Sequence, residues 1–263
     1  MRALVTGTSP GIGGATCRKL VRQARAAGQA VQIAACEIRE TAAQQALARD
    51  LEAEGAEVLL LTGDLADPEV PARLIASAAE AFGGLDVVVA NAGITAPAPL
   101  AELALADWDR LMNVNTRATW LLAKAAHPHL KASRGSLVAV ASMSGMKPHA
   151  GMGAYSPSKA AIIILCQTLA QEWAPDGIRV NAVSPGMIRS PLTAAVYADN
   201  AVARARAELV PWGRVGEPED IANVIAFLVG ADAGYLTGQN ICVDGAFSDS
   251  ILSHIPGRPK SAT

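Results

Sequence analysis

Seven short runs of apolar, often β-branched residues recur along the sequence, at 3–6, 30–35, 56–61, 85–90, 136–141, 178–183 and 239–243. Helical patterns are expected between them, at 13–27, 38–54, 68–82, 108–130, 157–173 and 218–229. A run, a helix and a second run make a βαβ unit, in which the two strands lie parallel. The runs are apolar on both faces, as in LDVVVA at 85–90, so helices must cover the sheet above and below. The expected fold class is α/β: a single-domain, Rossmann-like αβα sandwich with a mostly seven-stranded parallel sheet. Composition agrees, with 51% hydrophobic and 17% charged residues. The domain is read as 1–250, and 251–263 as an irregular C-terminal tail. The connection 187–212 holds Pro191 and Pro211 and is long enough for a substrate loop or lid. Asp199 and Asn200 mark an expected break between two short helices inside it.

Several function classes are disfavoured. The formal net charge is -2, with no basic excess to hold a nucleic-acid backbone or an anionic membrane. No apolar run reaches the length of a membrane span, and MRALVTG enters a strand with no signal-peptide pattern. A cytoplasmic protein is expected. Cys17, Cys36, Cys166 and Cys242 are scattered without metal-ligand spacing, so no metal is expected and each reads as a small buried hydrophobe.

Two motifs carry chemistry. TGTSPGIGG, Thr6 to Gly14, follows a strand and opens a helix. Gly7 permits a tight turn, and Gly11 and Gly13 let backbone approach a pyrophosphate at the helix N-terminus, where Ile12 also lies. Thr8 and Ser9 offer hydroxyls to the phosphates. The spacing is not G-x-G-x-x-G, and a plain tight turn is the bland alternative. The second motif is YSPSK, which sets Tyr155 and Lys159 one helical turn apart at the mouth of an apolar helix. Pro157 is tolerated there because the first turn needs no N–H. A nearby ammonium favours the phenolate, so Lys159 is expected to make Tyr155 usable as an acid or base. Ser142 ends the fifth run, where its hydroxyl can donate to a substrate oxygen.

These elements resemble the classical short-chain dehydrogenase/reductase family, in its order and spacing, from residue 1 to about 246. Thr6–Gly13 is similar to TGxxxGIG, ANAG at 90–93 to NNAG, NVN at 113–115 to the asparagine element, and YSPSK to YxxxK. Ser142 stands thirteen residues before Tyr155, as in the family. The resemblance implies hydride transfer between a nicotinamide cofactor and a secondary alcohol or ketone. It implies catalytic roles for Asn115, Ser142, Tyr155 and Lys159, with Asn115 holding a water next to Lys159. It also implies cofactor contacts from Asp64 and Leu65 to adenine, and from Asn91, Ala92 and Gly93 beside the ribose. Lys159 and Tyr155 would meet the nicotinamide ribose, and Pro185, Gly186 and Ile188 the nicotinamide. Asp64 and Ser142 would otherwise serve as turn or cap residues.

Two departures from the family's pattern bear on cofactor and assembly. The aspartate of NAD-preferring members falls on Ala35 here, followed by Cys36 and Glu37, while the nearest basic residue is Arg39. NAD and NADP both stay open, with a slight lean to NAD. Ala246 replaces the second glycine of the family's VDGG ending. The substrate pocket is drawn from Ser144, His149, Met152, Met187, Leu192 and Trp212, which select no sugar, polyol, 3-oxoacyl chain or cyclic ketone. The helix after Lys159 is apolar nearly all round, so self-association through helices 108–130 and 157–173, as a homotetramer or homodimer, is expected. Two other readings stand: an epimerase or dehydratase on the same fold, and a non-catalytic nucleotide-binding member.

Overall fold

A computed structural model of the chain describes residues 1–255, with only the backbone described at Leu192 and His254. The apolar runs form β1 Arg2–Thr6, β2 Gln32–Glu37, β3 Glu57–Thr62, β4 Val87–Ala90, β5 Ser136–Val140, β6 Arg179–Pro185 and β7 Asn240–Val243. They pair in parallel in the order β3-β2-β1-β4-β5-β6-β7. Ala3 of β1 stands between Ile33 of β2 and Val87 of β4, so the strand order reverses between β1 and β4. In open parallel sheets that reversal opens a crevice at the carboxyl ends of the strands, where ligands bind. Both β4 and β5 are buried at every position, as runs apolar on two faces require.

The helices are α1 Ile12–Ala26, α2 Ala42–Ala53, α3 Val70–Phe82, α4 Leu105–Leu111, α5 Ala118–Ser133, α6 Tyr155–Trp173, α7 Ala194–Tyr197, α8 Asn200–Leu209 and α9 Pro218–Val229. One core layer packs Leu74, Leu122 and Ile162 of α3, α5 and α6 on one face of the sheet. The other packs Leu20, Leu51 and Ile225 of α1, α2 and α9 on the opposite face. Both layers of the expected sandwich are therefore present.

Three expectations change. The strand expected at 30–35 runs on through Glu37, and the next helix starts at Ala42, not at 38. Thr41 fixes that start, its hydroxyl accepting the Gln44 N–H at 3.1 Å. The helix expected at 108–130 is longer and interrupted: α4 and α5 are joined by a π-helical segment, Met112–Arg117. Pro128 does not end α5, because Ala126 and Leu130 on either side of it are fully buried and packing holds the helix together. Within 187–212, the break between α7 and α8 falls where expected, with Asp199 Oδ1 accepting the N–H groups of Ala201 at 2.8 Å and Val202 at 3.3 Å. Residues 251–254 form a 3-10 turn, and 256–263 of the expected tail lie outside the described residues.

Candidate active site

The ends of β1 and β4 are lashed together before any ligand is considered. The Thr6 hydroxyl accepts N–H groups from Asn91 and Ala92, each at 3.1 Å. Asn91 Nδ2 donates to the carbonyls of Thr6 at 2.8 Å and Gly7 at 2.9 Å. The turn that follows admits only glycine at Gly13, where a Cβ would lie 2.0 Å from the Gly7 carbonyl oxygen. Gly11 is the N-cap of α1, has a φ of 135° and supplies no side-chain cap. The first N–H groups of α1 are thus left for an anion. Thr8 is buried with its hydroxyl unpartnered, and it does not reach the cleft wall, whereas Ser9 does.

Two cavities meet along the carboxyl ends of the strands and share Gly7, Glu37, Ala92 and Gly93 as a common wall. The smaller, about 180 Å³, is walled by Cys36, Glu37, Asp64, Leu65, Arg110 and Val114. The larger, about 370 Å³, takes in Ser9, Gly11, Ile12 and Asn91 at one end and Ser142, Tyr155, Lys159, Pro185, Gly186 and Ile188 at the other. The cleft therefore gathers most of the residues that the sequence assigned to cofactor and catalysis. A glycine turn at a helix N-terminus between an apolar pocket and a phenol–ammonium pair fits a dinucleotide.

At the far end of the larger cavity, Lys159 is 4% exposed and its ammonium donates to the Val140 carbonyl at 2.8 Å. Burial pulls its pKa down from 10.5 to about 8. Because its folded-state pKa lies below the unfolded one, this group's contribution to stability falls as pH drops from about 10.5 to about 8. Burial pushes the Tyr155 phenol up, and the neighbouring Ser142 hydroxyl pulls the other way. The Lys159 ammonium stands 5.8 Å from the Tyr155 ring centre, and burial is the largest influence on each of the two groups. Ser142 Oγ accepts the Ser144 N–H at 3.1 Å, which leaves its own proton to be donated.

Asn115 is fully buried in the π-helical segment, which accounts for an amide in mid-helix. Its Oδ1 accepts the Ile94 N–H at 2.9 Å, and its Nδ2 donates to the Ile94 carbonyl at 3.1 Å and to Ser158 Oγ at 3.0 Å. Ser158 Oγ in turn donates to the Tyr155 carbonyl at 2.7 Å. The side chain ties the segment after β4 to α6. Gly93 completes the junction, where a Cβ would stand 3.2 Å from Lys159 Nζ and 3.3 Å from Asn115 Oδ1.

Other sequence assignments move. Ala35 is fully buried in the core and cannot hold a ribose-facing acid. The strand end falls on Glu37, whose carboxylate accepts the Ser9 N–H and lines both cavities. Met187 and Trp212 do not join Tyr155. They line a separate cavity of about 280 Å³ with Arg214, Asp220 and Asp244, and Ile188 is the wall between that cavity and the cleft. Trp212 is 75% exposed, so it is not an inner-face residue of the cleft. Ser144 Oγ stands 3.3 Å from His149 Nδ1, and neither they nor Met152 line the cavities described. The Leu192 side chain lies outside the described part of the structure.

Sequence reasoning missed Ser158, the Val140 carbonyl, Arg110, and the Ser190–Thr193 pair at the cleft rim. Thr193 Oγ1 accepts the Ser190 N–H at 3.0 Å and donates to the Ile188 carbonyl at 2.7 Å. The S-x-x-T spacing was the available signal for that pair. The serine inside YSPSK was the signal for Ser158.

Known proteins resemble the chain over most of its length. Residues 7–248 match a family model described as Enoyl-(Acyl carrier protein) reductase. The chain is 38% identical over 258 residues to a tropinone reductase homolog of Arabidopsis thaliana, covering 97% of this chain and 93% of that protein. It is 39% identical over 248 residues to cis-4-hydroxycyclohexanecarboxylate dehydrogenase of Sinomonas cyclohexanicum, covering 94% and 96%. A solved structure from Beutenbergia cavernae, described as an NAD(P) dependent gluconate 5-dehydrogenase with NADP at low occupancy, superposes with a TM-score of 0.85 at 34% identity, covering 94% and 96%.

Proposed function

The chain belongs to the short-chain dehydrogenase/reductase family and is an NAD(P)-dependent oxidoreductase of alcohols and ketones; within that activity we propose that Tyr155 is the acid–base residue, with Ser142 and Lys159 beside it. The observation that carries this is the half-buried Tyr155 beside the buried Lys159 at one end of a cleft that begins in a glycine turn. The nicotinamide, when bound, supplies or accepts the hydride. Gly7, Gly11 and Ile12 would hold the diphosphate at the start of α1, and Pro185, Gly186 and Ile188 would hold the nicotinamide. In alcohol oxidation Tyr155 Oη takes the hydroxyl proton, and in ketone reduction it returns a proton to the carbonyl oxygen. Ser142 Oγ, its acceptor side filled by the Ser144 N–H, donates to the same substrate oxygen. Lys159 resupplies or removes the proton. Asn115 acts one step back, by holding α6 in register with Ile94.

Glu37 turns the cofactor choice toward NAD. Its carboxylate engages Ser9 N–H at the place a 2′-phosphate would need, and like charges there repel. Helices α7 and α8 serve as a lid over the substrate. Self-association as a homodimer or homotetramer is supported by an apolar groove between the π-helical segment and α6, where Trp120 and the 62% exposed Ile164 lie. A cytoplasmic location is consistent with the absence, among the described residues, of any helix long and apolar enough to cross a membrane. The non-catalytic alternative has no support, since Tyr155 and Lys159 are both present and face the cleft.

The test is a panel of cyclic and acyclic secondary alcohols, ketones and sugar acids, run with NAD(H) and NADP(H) and followed by nicotinamide absorbance. Turnover with at least one substrate pair, faster with NAD(H), is expected. No turnover with any member in either direction, despite cofactor binding, would count against the acid–base assignment.

A further inference from the structure

Two residues lining the smaller cavity, Arg110 and Asp64, form an ion pair. Arg110 projects from α4, on the side of the cavity formed by Ile94 and Val114. Asp64 stands on the opposite side, just after β3, with Gly63 and Leu65. Both guanidinium nitrogens Nη1 and Nη2 reach Asp64 Oδ2 at 3.3 Å, while Asp64 Oδ1 accepts the Ala66 N–H at 2.9 Å. The carboxylate is thereby fixed by its own turn, and the arginine is anchored to it across the cavity. Each side chain remains a little under half exposed, so an ion pair here contributes little to fold stability. Leu65, Leu74 and Val114 supply an apolar lining, and Glu37 is the cavity's remaining charged residue.

We propose that Arg110 is an adenine-binding residue: held by Asp64, its planar guanidinium covers the purine and acts as the gate through which the adenosine half enters and leaves. The proposal rests on the dinucleotide reading above and adds a ligand contact to it. A guanidinium plane stacks on an aromatic face and keeps its charge throughout, which an ammonium on a flexible stem does not reproduce. Opening the gate needs only the exposed ion pair to part, which salt promotes.

The test compares wild type, Arg110→Ala and Arg110→Lys by calorimetry with two probes, ADP-ribose and reduced nicotinamide mononucleotide, with melting temperature recorded for each protein. ADP-ribose should bind about tenfold more weakly to Arg110→Ala, the scale of one cation–π contact. The mononucleotide, which has no adenine, should bind all three proteins alike. Arg110→Lys should recover less than half of the loss on a logarithmic scale. Unchanged ADP-ribose affinity in Arg110→Ala would reduce the pair to surface electrostatics and overturn the proposal. Equal weakening of both probes would overturn it too, by showing a general loss of the fold around the cleft. If wild type bound neither probe, the dinucleotide reading itself would fail, an outcome distinct from both.

Discussion

The two ends of the cleft are built differently. At the Tyr155 end, Lys159, Asn115 and Ser142 are buried, and their hydrogen bonds run to fixed backbone groups at Val140, Ile94 and Ser144. At the Asp64 end, the polar groups are half exposed and pair with one another across the opening. Acid–base chemistry needs a proton-carrying atom held in one place in low dielectric. Holding a purine needs an apolar slot and a closure that can part. The difference implies that substitutions at the buried end cost turnover, while those at the open end change cofactor affinity and choice.

The sharpest way to break this contrast is Tyr155→Phe. It removes one oxygen from a site whose scaffold does not depend on it, so kcat should fall by roughly two to four powers of ten with cofactor affinity nearly intact. A matching loss of cofactor binding would blur the distinction between the two ends. At the open end, Glu37→Ala should raise the preference for NADP over NAD by about tenfold or more, because a carboxylate facing a 2′-phosphate is removed. Ratios of kcat/KM for the two cofactors decide this, and an unchanged ratio would place the selector elsewhere. The smallest effect lies outside the cleft. Ala246 adopts a φ of 70°, a left-handed conformation that disfavours any side chain. Ala246→Gly should stabilise the fold by up to about 1 kcal/mol, partly offset by the added freedom of the unfolded chain. Chemical denaturation measures it, and a loss of stability would show that the methyl group makes a compensating contact.

Much of the buried end was legible in the sequence. The Tyr–Lys spacing, the serine after an apolar run and the glycine turn are each local patterns, and the fold brings them to one cleft. The seven strands were legible for the same reason, since a run apolar on both faces has few other uses. What escaped depends on partners distant in sequence. Ala34, Ala35 and Cys36 read equally well as strand or strand end. The ladder continues because Gly7 N–H donates to the Cys36 carbonyl at 2.8 Å and Gly63 N–H to the Glu37 carbonyl at 2.9 Å, one from each flanking strand's exit. The π-helical turn around Asn115 has no compositional signature, being selected by the bonds of that amide to Ile94 and Ser158. Trp212 was read as a pocket residue from its place at the end of the loop, but its backbone N–H donates to the Gly245 carbonyl at 3.3 Å and carries it behind Ile188. The Asp199 break was found because an N-cap is local.

The central claim is that Lys159 sets the protonation of Tyr155 from a buried position. The most direct test is the pH profile of alcohol oxidation at saturating cofactor, in wild type and in Lys159→Met. Wild-type activity should climb as the pair loses a proton, beginning in the region of the lysine's lowered pKa of about 8. In Lys159→Met that rise should disappear, leaving a weaker activity that grows only at higher pH, toward the raised ionisation of the tyrosine. Profiles of the same shape and midpoint in both proteins would contradict the account.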